Sequence, residues 1–299
     1  MTQTRTAFIA IVGCPNVGKS SILNRLLGQK IAVVSPKPQT TRTKIMGVLT
    51  ENDVQLVFTD TPGFHRPRTK LGEKMVKAVS DSISGVDACL FVVEPSGELR
   101  DAEKDLLGKF KKEKMPVILA INKIDSVKQK ELLIERMAQF SALYDFEAIV
   151  PCSALKGDGF DELKDELFKQ SQPSPHFFPD DTLTDQPERV IAAEIIREKL
   201  LNLLDDEVPH GVAVCIERMH EREDSDITDI DATVYCERES HKGIIIGKKG
   251  EMLKKVSTRA REDMERFFMC KINLHCWVKV KEGWRNREGL IRNFGLDNE

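Results

Sequence analysis

Apolar runs alternate with amphipathic stretches along roughly the first 170 residues, and this alternation predicts strands that lie between helices. The runs at 86–93 and 116–121 are almost continuously apolar, as expected of strands that helices cover on both faces. Further strands are predicted at 6–12, 54–59 and 148–151, and helices at 19–27, 69–84, 101–112, 127–143 and 160–168. This order predicts a doubly wound α/β domain over residues 1–171.

The pattern changes after a proline-containing stretch, which we interpret as a linker at 172–188. Beyond it, helices are predicted at 189–204 and 251–268, strands at 212–219, 230–237 and 271–280, and a short apolar segment at 243–246. The order α-β-β-α-α-β predicts a smaller α+β domain at 189–283, with a tail at 284–299.

Composition changes this picture little. The chain has 299 residues, of which 40% are hydrophobic and 31% charged, as in ordinary globular proteins. No apolar run approaches the roughly 18 to 20 residues needed to cross a bilayer. The seven cysteines are scattered, odd in number and without a Cys-x-x-Cys pair. We therefore expect a reduced cytoplasmic protein without a structural disulfide or a zinc ribbon.

Charge is distributed unevenly along the second half. The net charge of the chain is -3, but the stretch 176–240 carries -12 and the stretch 241–299 carries +6. An acidic stretch is most simply a solvated face. The basic stretch coincides with a glycine–lysine loop, which favours a polyanionic partner.

The loop between the first strand and the first helix has the pattern Gly-x4-Gly-Lys-Ser of a P-loop NTPase. Its backbone N–H groups and the helix N-terminus bind phosphate, Lys19 bridges the terminal phosphates, and Ser20 ligates Mg²⁺. Asn16 either braces the loop or holds a monovalent cation such as K⁺. The predicted phosphate-binding residues are Gly13, Cys14, Pro15, Asn16, Val17, Gly18, Lys19, Ser20 and Gly63.

Asp60 ends a predicted strand and is the second candidate for the Mg²⁺ site, and Gly63 can present its N–H to a γ-phosphate. A threonine in the polar stretch 31–45 should close over Mg²⁺ in the triphosphate state. Thr41 is favoured over Thr40. The predicted switch residues are Gln39, Thr40, Thr41, Arg42, Thr43, Asp60, Thr61, Pro62, Gly63 and Phe64.

A third motif, Asn-Lys-Ile-Asp at 122–125, predicts that the base is guanine. Asp125 can accept hydrogen bonds from guanine N1 and the exocyclic amine, whereas adenine would leave this carboxylate unpaired. Asn122 and Lys123 brace the loop and cover the base. Ser153 and Ala154 follow the last strand and can supply a backbone N–H to the guanine oxygen. The predicted ligand is GTP or GDP with Mg²⁺.

The sequence assigns no catalytic side chain for hydrolysis. Many related enzymes carry a water-orienting glutamine after the Asp-x-x-Gly motif, but Phe64 occupies this position and cannot orient water by hydrogen bonding. His65 is adjacent, although a lone loop histidine is usually a surface residue. We therefore expect either slow intrinsic hydrolysis or positioning of the water by a group elsewhere in the chain.

The second domain carries Gly-Lys-Lys-Gly at 247–250, between an apolar turn and a long helix. Its glycines allow close approach of a sugar-phosphate backbone and its lysines neutralise the phosphates, while an adjacent apolar groove holds about four unstacked bases. The predicted RNA-binding residues are Ile244, Ile246, Gly247, Lys248, Lys249, Gly250 and Lys254. Trp284 either stacks a base or packs in the domain.

Together these motifs resemble the Era family of bacterial GTPases, which carry a C-terminal KH domain of type II. The resemblance rests on Gly-Cys-Pro-Asn-Val-Gly-Lys-Ser, Gln-Thr-Thr-Arg, Asp-Thr-Pro-Gly-Phe, Asn-Lys-Ile-Asp and the domain order, and it covers nearly all of the chain. Cys14 and Ser21 depart from the arginine and threonine that are frequent in the family. The loop acts there through its backbone, so we expect phosphate binding to persist.

The resemblance implies a monomeric GTPase that binds the 3′ end of 16S ribosomal RNA and assists maturation of the 30S subunit. It also implies a peripheral association with the cytoplasmic face of the cell membrane. Two alternatives are a GTPase that drives an RNA-modification partner and a membrane-linked signalling GTPase. The RNA-modification alternative needs a second chemistry, and no cysteine or metal-binding cluster in the sequence offers it.

Overall fold

We analysed a computed structural model that describes residues 3–35, 37, 40–64, 67 and 69–296. The chain divides into two units. Unit 1 comprises Met1–Val34, Thr41–Pro67 and Met75–Asp185, and unit 2 comprises Ser35–Thr40, Arg68–Lys74 and Gln186–Glu299. Within the described ranges, no helix is both long and apolar enough to span a bilayer.

A mixed sheet with helices between its strands forms the centre of unit 1. Along the chain its elements are β1 (Arg5–Val12), α1 (Lys19–Leu27), β2 (Ile45–Glu51), β3 (Val54–Asp60), α2 (Lys70–Ile83), β4 (Ala88–Val93), α3 (Asp101–Glu113), β5 (Val117–Ile121), α4 (Lys130–Ser141), β6 (Ala148–Pro151), α5 (Phe160–Lys169) and β7 (Gln172–Pro173). The strand order is β2-β3-β1-β4-β5-β6, and β7 pairs with β1. Strands β3, β1, β4, β5 and β6 run parallel.

Continuous apolar strands explain why this sheet is central. Every residue of β4 and β5 is buried, because helices cover both faces of the sheet. Phe91 on β4 makes edge-on ring contacts with Phe110 of α3 and Phe140 of α4, at centroid distances of 5.5 and 5.9 Å. These contacts fix the helices against the strands whose carboxyl ends carry the candidate site. The predicted α/β fold class is confirmed.

Two features at the edge of this sheet differ from the sequence prediction. Strand β2 was not predicted; it pairs antiparallel with β3, from Ile45 opposite Asp60 to Glu51 opposite Val54. The expected linker also packs on unit 1, since Val48 donates its backbone N–H to the carbonyl of Leu183 at 2.9 Å. Residues 172–185 therefore belong to unit 1 rather than forming a free connector.

A three-stranded sheet and two long helices form unit 2. Its elements are α6 (Glu188–Leu203), β8 (Ala213–Glu221), β9 (Ile227–Cys236), α7 (Glu239–Ile246), α8 (Glu251–Phe268), β10 (Lys271–Val280) and α9 (Glu288–Asn293). The strand order is β10-β9-β8, with β10 parallel and β8 antiparallel to β9. Apolar side chains of α6, α7, α8 and one face of the sheet form a single core.

The C-terminal stretch is more ordered than the predicted tail. A short 3-10 turn at Trp284–Asn286 leads into α9. The Trp284 ring is fully buried, and its Nε1 donates a hydrogen bond to the carbonyl oxygen of Gly211 at 2.9 Å. Of the two roles considered for this tryptophan, the structure therefore shows the packing role.

Candidate nucleotide and RNA sites

Two close backbone approaches shape the phosphate loop, which joins β1 to α1. A Cβ on Gly13 would lie 2.3 Å from the carbonyl oxygen of Val92, and one on Gly18 would lie 2.2 Å from Nδ2 of Asn122. Gly18 also has φ near +100°, in the left-handed region that favours glycine. Both glycines are therefore required for the loop to lie against β4 and the Asn-Lys-Ile-Asp segment. The loop then leads directly into α1, which begins at Lys19.

Lys19 and the neighbouring Asp60 form a buried charge pair at the base of the loop. The Lys19 ammonium donates hydrogen bonds to the carbonyls of Gly13 and Cys14 at 3.1 and 3.0 Å. Burial lowers the pKa of Lys19, while the Asp60 carboxylate acts in the opposite direction. Burial likewise raises the pKa of the Asp60 carboxyl, and Lys19 counteracts this rise. The terminal phosphates of a bound nucleotide would add further negative charge beside Lys19 and would favour its charged form.

Three oxygen-bearing side chains converge beside this lysine. Ser20 Oγ donates to Asp60 Oδ2 at 2.6 Å and lies 2.9 Å from Thr41 Oγ1, which is 3.4 Å from the same carboxylate oxygen. The other oxygen, Asp60 Oδ1, is buried and has no hydrogen-bond partner among the described residues. Hydroxyl and carboxylate oxygens are ligands that Mg²⁺ prefers, so this set fits the predicted ion. By contrast, the Thr40 hydroxyl donates to the carbonyl of Lys37 at 2.6 Å.

The predicted second switch begins beside the phosphate loop. A Cβ on Gly63 would lie 2.7 Å from Cα of Pro15, so only glycine permits this approach. Phe64 donates its backbone N–H to the Gly13 carbonyl at 3.1 Å, and its ring is buried among core residues of unit 1. The Lys109 ammonium lies 4.8 Å from the centroid of this ring. The Phe64 ring is therefore directed into the core and leaves water positioning to other groups.

Among the remaining predicted switch residues, some are buried in the structure and one lies outside the described residues. Arg42 and Thr61 are buried, and the Thr61 hydroxyl donates to the carbonyl of Ile11 at 2.8 Å. Gln39 and His65 lie outside the described residues.

The predicted guanine-binding residues come together at the carboxyl ends of β5 and β6. Asn122 Nδ2 donates to the Val17 carbonyl at 2.9 Å, and Asn122 Oδ1 accepts from the backbone N–H of Ala154 at 3.0 Å. The Ser153 hydroxyl donates to Asp125 Oδ1. Asn122 thus connects the phosphate loop to the Cys-Ser-Ala segment, and Ser153 orients the carboxylate.

A cavity of about 600 Å³ lies at these residues, large enough for a nucleoside. Its lining residues come from the phosphate loop, α1 and the two base-recognition segments, and they include Gly18, Asn24, Asn122, Lys123, Asp125 and Ala154. The phosphate loop, the candidate Mg²⁺ ligands and the base-recognition residues are therefore neighbours in unit 1.

A charged network that the sequence reading missed braces the site. The Lys123 ammonium donates to the carbonyl of Asn16 at 2.5 Å and to Glu94 Oε1 at 2.8 Å. Arg100 donates a hydrogen bond to the other carboxylate oxygen of Glu94. Hydrogen bonds from Lys123 and Arg100 lower the pKa of Glu94 against the opposing effect of burial. Glu94 directly follows β4. Its position at the carboxyl end of a parallel strand, where ligands bind in such sheets, was the signal in the sequence that could have indicated a role at the site.

The Gly-Lys-Lys-Gly loop of unit 2 lies between α7 and α8. Gly247 has φ 74° and ψ 177°, a conformation that is essentially restricted to glycine, and Gly250 is left-handed at the N-cap of α8. Lys248 and Lys249 are exposed between them, as is Lys254 on α8. On the preceding helix Ile244 is half exposed, Ile246 is partly exposed, and the intervening Ile245 belongs to the core. The loop therefore presents two lysines beside an apolar surface.

Fold and site geometry together define a P-loop GTPase with a C-terminal KH domain. The family of 50S ribosome-binding GTPases matches residues 8–123, and the KH domain family matches residues 207–285. GTPase Era of Clostridioides difficile is 48% identical over 295 residues, which cover 99% of both chains. GTPase Era of Ruminiclostridium cellulolyticum is 50% identical over 291 residues, 97% of both chains.

Two solved structures share this architecture. A variant of Aquifex aeolicus Era bound to GDP and AlF4⁻ has a TM-score of 0.94 and 37% identity, over 98% of this chain and 99% of that one. Era in complex with MgGDPNP and nucleotides 1506–1542 of 16S ribosomal RNA has a TM-score of 0.92 and 38% identity, with the same coverage. The chain belongs to the Era family of GTPases.

Proposed function

We propose that this GTPase binds the 3′ region of 16S ribosomal RNA through its KH domain and acts as a nucleotide-controlled assembly factor of the 30S subunit. The observation that carries this proposal is the occurrence, in one chain, of the convergent Ser20–Thr41–Asp60 cluster and the exposed lysines of the Gly-Lys-Lys-Gly loop. A 38% identical relative binds MgGDPNP together with 37 nucleotides of this RNA, which supports the same pairing of ligands here.

The contacts of the predicted switch residues indicate how the switch would work. Mg²⁺, when bound, would neutralise charge on the β- and γ-phosphates, and Ser20, Thr41 and Asp60 would hold it. Thr41 lies beside Ser20 and Asp60, and Gly63 lies against the phosphate loop, so the loss of a γ-phosphate bound there would release both segments. Asp125 orients the base, and Lys19 stabilises the charge that develops on the phosphates. We propose that this release changes the affinity of the KH domain for RNA.

The experiment compares RNA binding by the full chain with GDP and with a non-hydrolysable GTP analogue. A 37-nucleotide RNA with the sequence of the relative's complex should bind at least several-fold more tightly in one nucleotide state. A scrambled RNA of the same length controls for non-specific binding to lysines. Equal affinity in both nucleotide states would show that the two domains are merely tethered and would overturn the proposed control.

We also propose that Asn16 helps to hold a K⁺ ion against the phosphates. Asn16 has φ near +64°, and its backbone carbonyl accepts a hydrogen bond from Lys123, so the candidate cation ligand is its side-chain oxygen. GTP turnover in K⁺ should then exceed turnover in Na⁺ several-fold. Asn16→Gly tolerates the positive φ but lacks the side-chain oxygen, so it should lose this cation preference. Equal wild-type rates in the two salts would contradict the cation role.

We propose a cytoplasmic monomer that associates with the cell membrane only peripherally. The alternatives from other classes are an RNA-modification partner complex and a membrane-linked signalling GTPase. Anionic vesicles in place of RNA test the second alternative, because a signalling GTPase of that kind would bind the vesicles and ignore the RNA.

A further inference from the structure

The face of the unit 2 sheet that lies away from its core, here called the open face, carries an aromatic pair at its edge. On the central strand Phe294 stacks on Tyr235 of this face, whereas Trp277 on β10 is exposed. Strand β10 is the edge strand, and it alternates between two environments. Its residues Ile272, Leu274, Cys276, Val278 and Val280 belong to or pack against the core of unit 2. The alternate residues Asn273, His275, Trp277 and Lys279 face away from that core, because successive strand side chains point to opposite faces.

Trp277 and His275 form a flat surface on this open face. Their rings stack with a centroid distance of 6.1 Å and an interplanar angle of 21°. Trp277 is 49% exposed, whereas Trp284, the second tryptophan of the chain, is 0% exposed. An indole held parallel to its neighbour and left open to solvent can stack a further planar group.

The charges on β10 favour an anionic ligand. The strand carries Lys271 and Lys279 and no acidic residue, and Lys281 follows it directly. The neighbouring strand β9 contributes two carboxylates to the same face. Of these, Asp229 accepts hydrogen bonds from Arg222 and Asn273 at 2.7–2.8 Å, while Asp231 lies opposite His275 in the register. At the other end Glu217 of β8 accepts a hydrogen bond from Tyr235, the residue opposite Lys279, so Lys279 and Lys281 there meet one carboxylate and this end is the more positive.

The position of β10 connects this surface to the KH loop. Helices α7 and α8, which flank the Gly-Lys-Lys-Gly loop, pack against the core face of β10. A strand of RNA that leaves the loop can therefore pass over the free edge of β10 onto its open face. A KH cleft holds about four nucleotides, far fewer than the 37 nucleotides in the complex of the 38% identical relative. Additional nucleotides need a surface that accepts any base, and aromatic stacking provides one.

We propose that Trp277 and His275 form a second RNA subsite, which stacks unpaired bases that continue from the KH cleft, while Lys279 and Lys281 neutralise the adjoining phosphates. This inference rests on the proposed RNA-binding function and extends it to a second face of the same domain. The ligand is single-stranded RNA longer than the cleft, rather than a protein or a lipid surface.

Two RNAs and one variant test the subsite. Trp277→Ala should weaken binding of the 37-nucleotide RNA to the GTP-analogue-bound full chain by about tenfold, from the loss of base stacking. Binding of a short oligonucleotide restricted to the KH cleft should be unchanged. Trp277→Phe keeps an aromatic face and should restore most of the loss. Ile134→Ala, at an exposed apolar residue of unit 1, is the matched control and should bind both RNAs like the wild type.

Intrinsic fluorescence gives a direct second readout, because only Trp277 of the two tryptophans is exposed. The long RNA should quench its emission and protect it from acrylamide, and the short RNA should do neither. If the short RNA binds while Trp277→Ala binds the long RNA normally and quenching is absent, the subsite is wrong and the KH function stands. If neither RNA binds the wild type, the proposed function itself fails. Quenching by anionic vesicles or by a protein fraction, and not by the long RNA, would also overturn the subsite.

Discussion

Replacing Asp125 by Asn should weaken GTP binding by roughly two orders of magnitude and shift the preference towards xanthosine nucleotides. The Asp125 carboxylate lies in the nucleoside-sized cavity and is oriented by the Ser153 hydroxyl. The side-chain amide that this variant carries at position 125 can accept a hydrogen bond from N1 of xanthine and donate one to its 2-oxo group. With guanine, the amide nitrogen would face the exocyclic amine, so that two donors would oppose each other. Competition between labelled GDP and unlabelled XDP measures the change.

The control for this variant is Glu131→Gln, which also neutralises an acidic side chain but lies on the exposed face of α4. It should leave the guanine preference intact. Thermal unfolding should be similar for both variants, since neither removes buried apolar area. If Asp125→Asn retains wild-type selectivity for GTP, the base is read by other residues and our assignment of the cavity is wrong.

The parts of the site that could be predicted from sequence lie in contiguous motifs. The loop at 13–20 and the segment at 122–125 each combine their functional residues within a few positions, and each follows an apolar strand. In a parallel sheet the carboxyl ends of strands share one edge, so their proximity follows from the fold class. The structure places Ser20, Thr41 and Asp60 together in this way, although they are far apart along the chain.

The network of Lys123, Glu94 and Arg100 could not be predicted in the same way. Its members come from two segments, the connection between β4 and α3 and the Asn-Lys-Ile-Asp loop, and ordinary charged residues are more often solvated surface groups. Their hydrogen bonds depend on how α3 and the Asn-Lys-Ile-Asp loop lie beside the phosphate loop. Pairing of this kind is a property of tertiary structure and leaves no periodic signal.

Strand β2 and helix α9 were missed for a related reason. Residues 45–51 mix apolar, glycine and polar positions, and their strand conformation depends on antiparallel pairing with β3. Helix α9 spans only Glu288–Asn293, too short for a helical period to be recognised. Around it, Phe294 stacks on Tyr235 at 4.7 Å and contacts Trp284, so that tertiary contacts stabilise the segment.

Gly247→Asp should abolish specific RNA binding while GTP hydrolysis by unit 1 continues at its basal rate. A Cβ at this position would lie 2.7 Å from Cβ of Met252, and φ 74° with ψ 177° costs a non-glycine residue about 1–3 kcal/mol. The new carboxylate would also repel phosphates beside Lys248 and Lys249. We expect the affinity for the 37-nucleotide RNA to fall by at least about a hundredfold, measured by filter binding.

Gly247→Asp changes both the backbone geometry of the loop and its charge. A second variant separates these two effects. The double substitution of Lys248→Ala and Lys249→Ala keeps both glycines. It should reduce the slope of log K against the logarithm of salt concentration by the amount expected for about two lost phosphate contacts. Retained GTP turnover shows that unit 1 is intact, and circular dichroism reports on the fold of unit 2. Wild-type RNA affinity in both variants would mean that the loop does not hold RNA, because neither its backbone geometry nor its lysines would then contribute to binding.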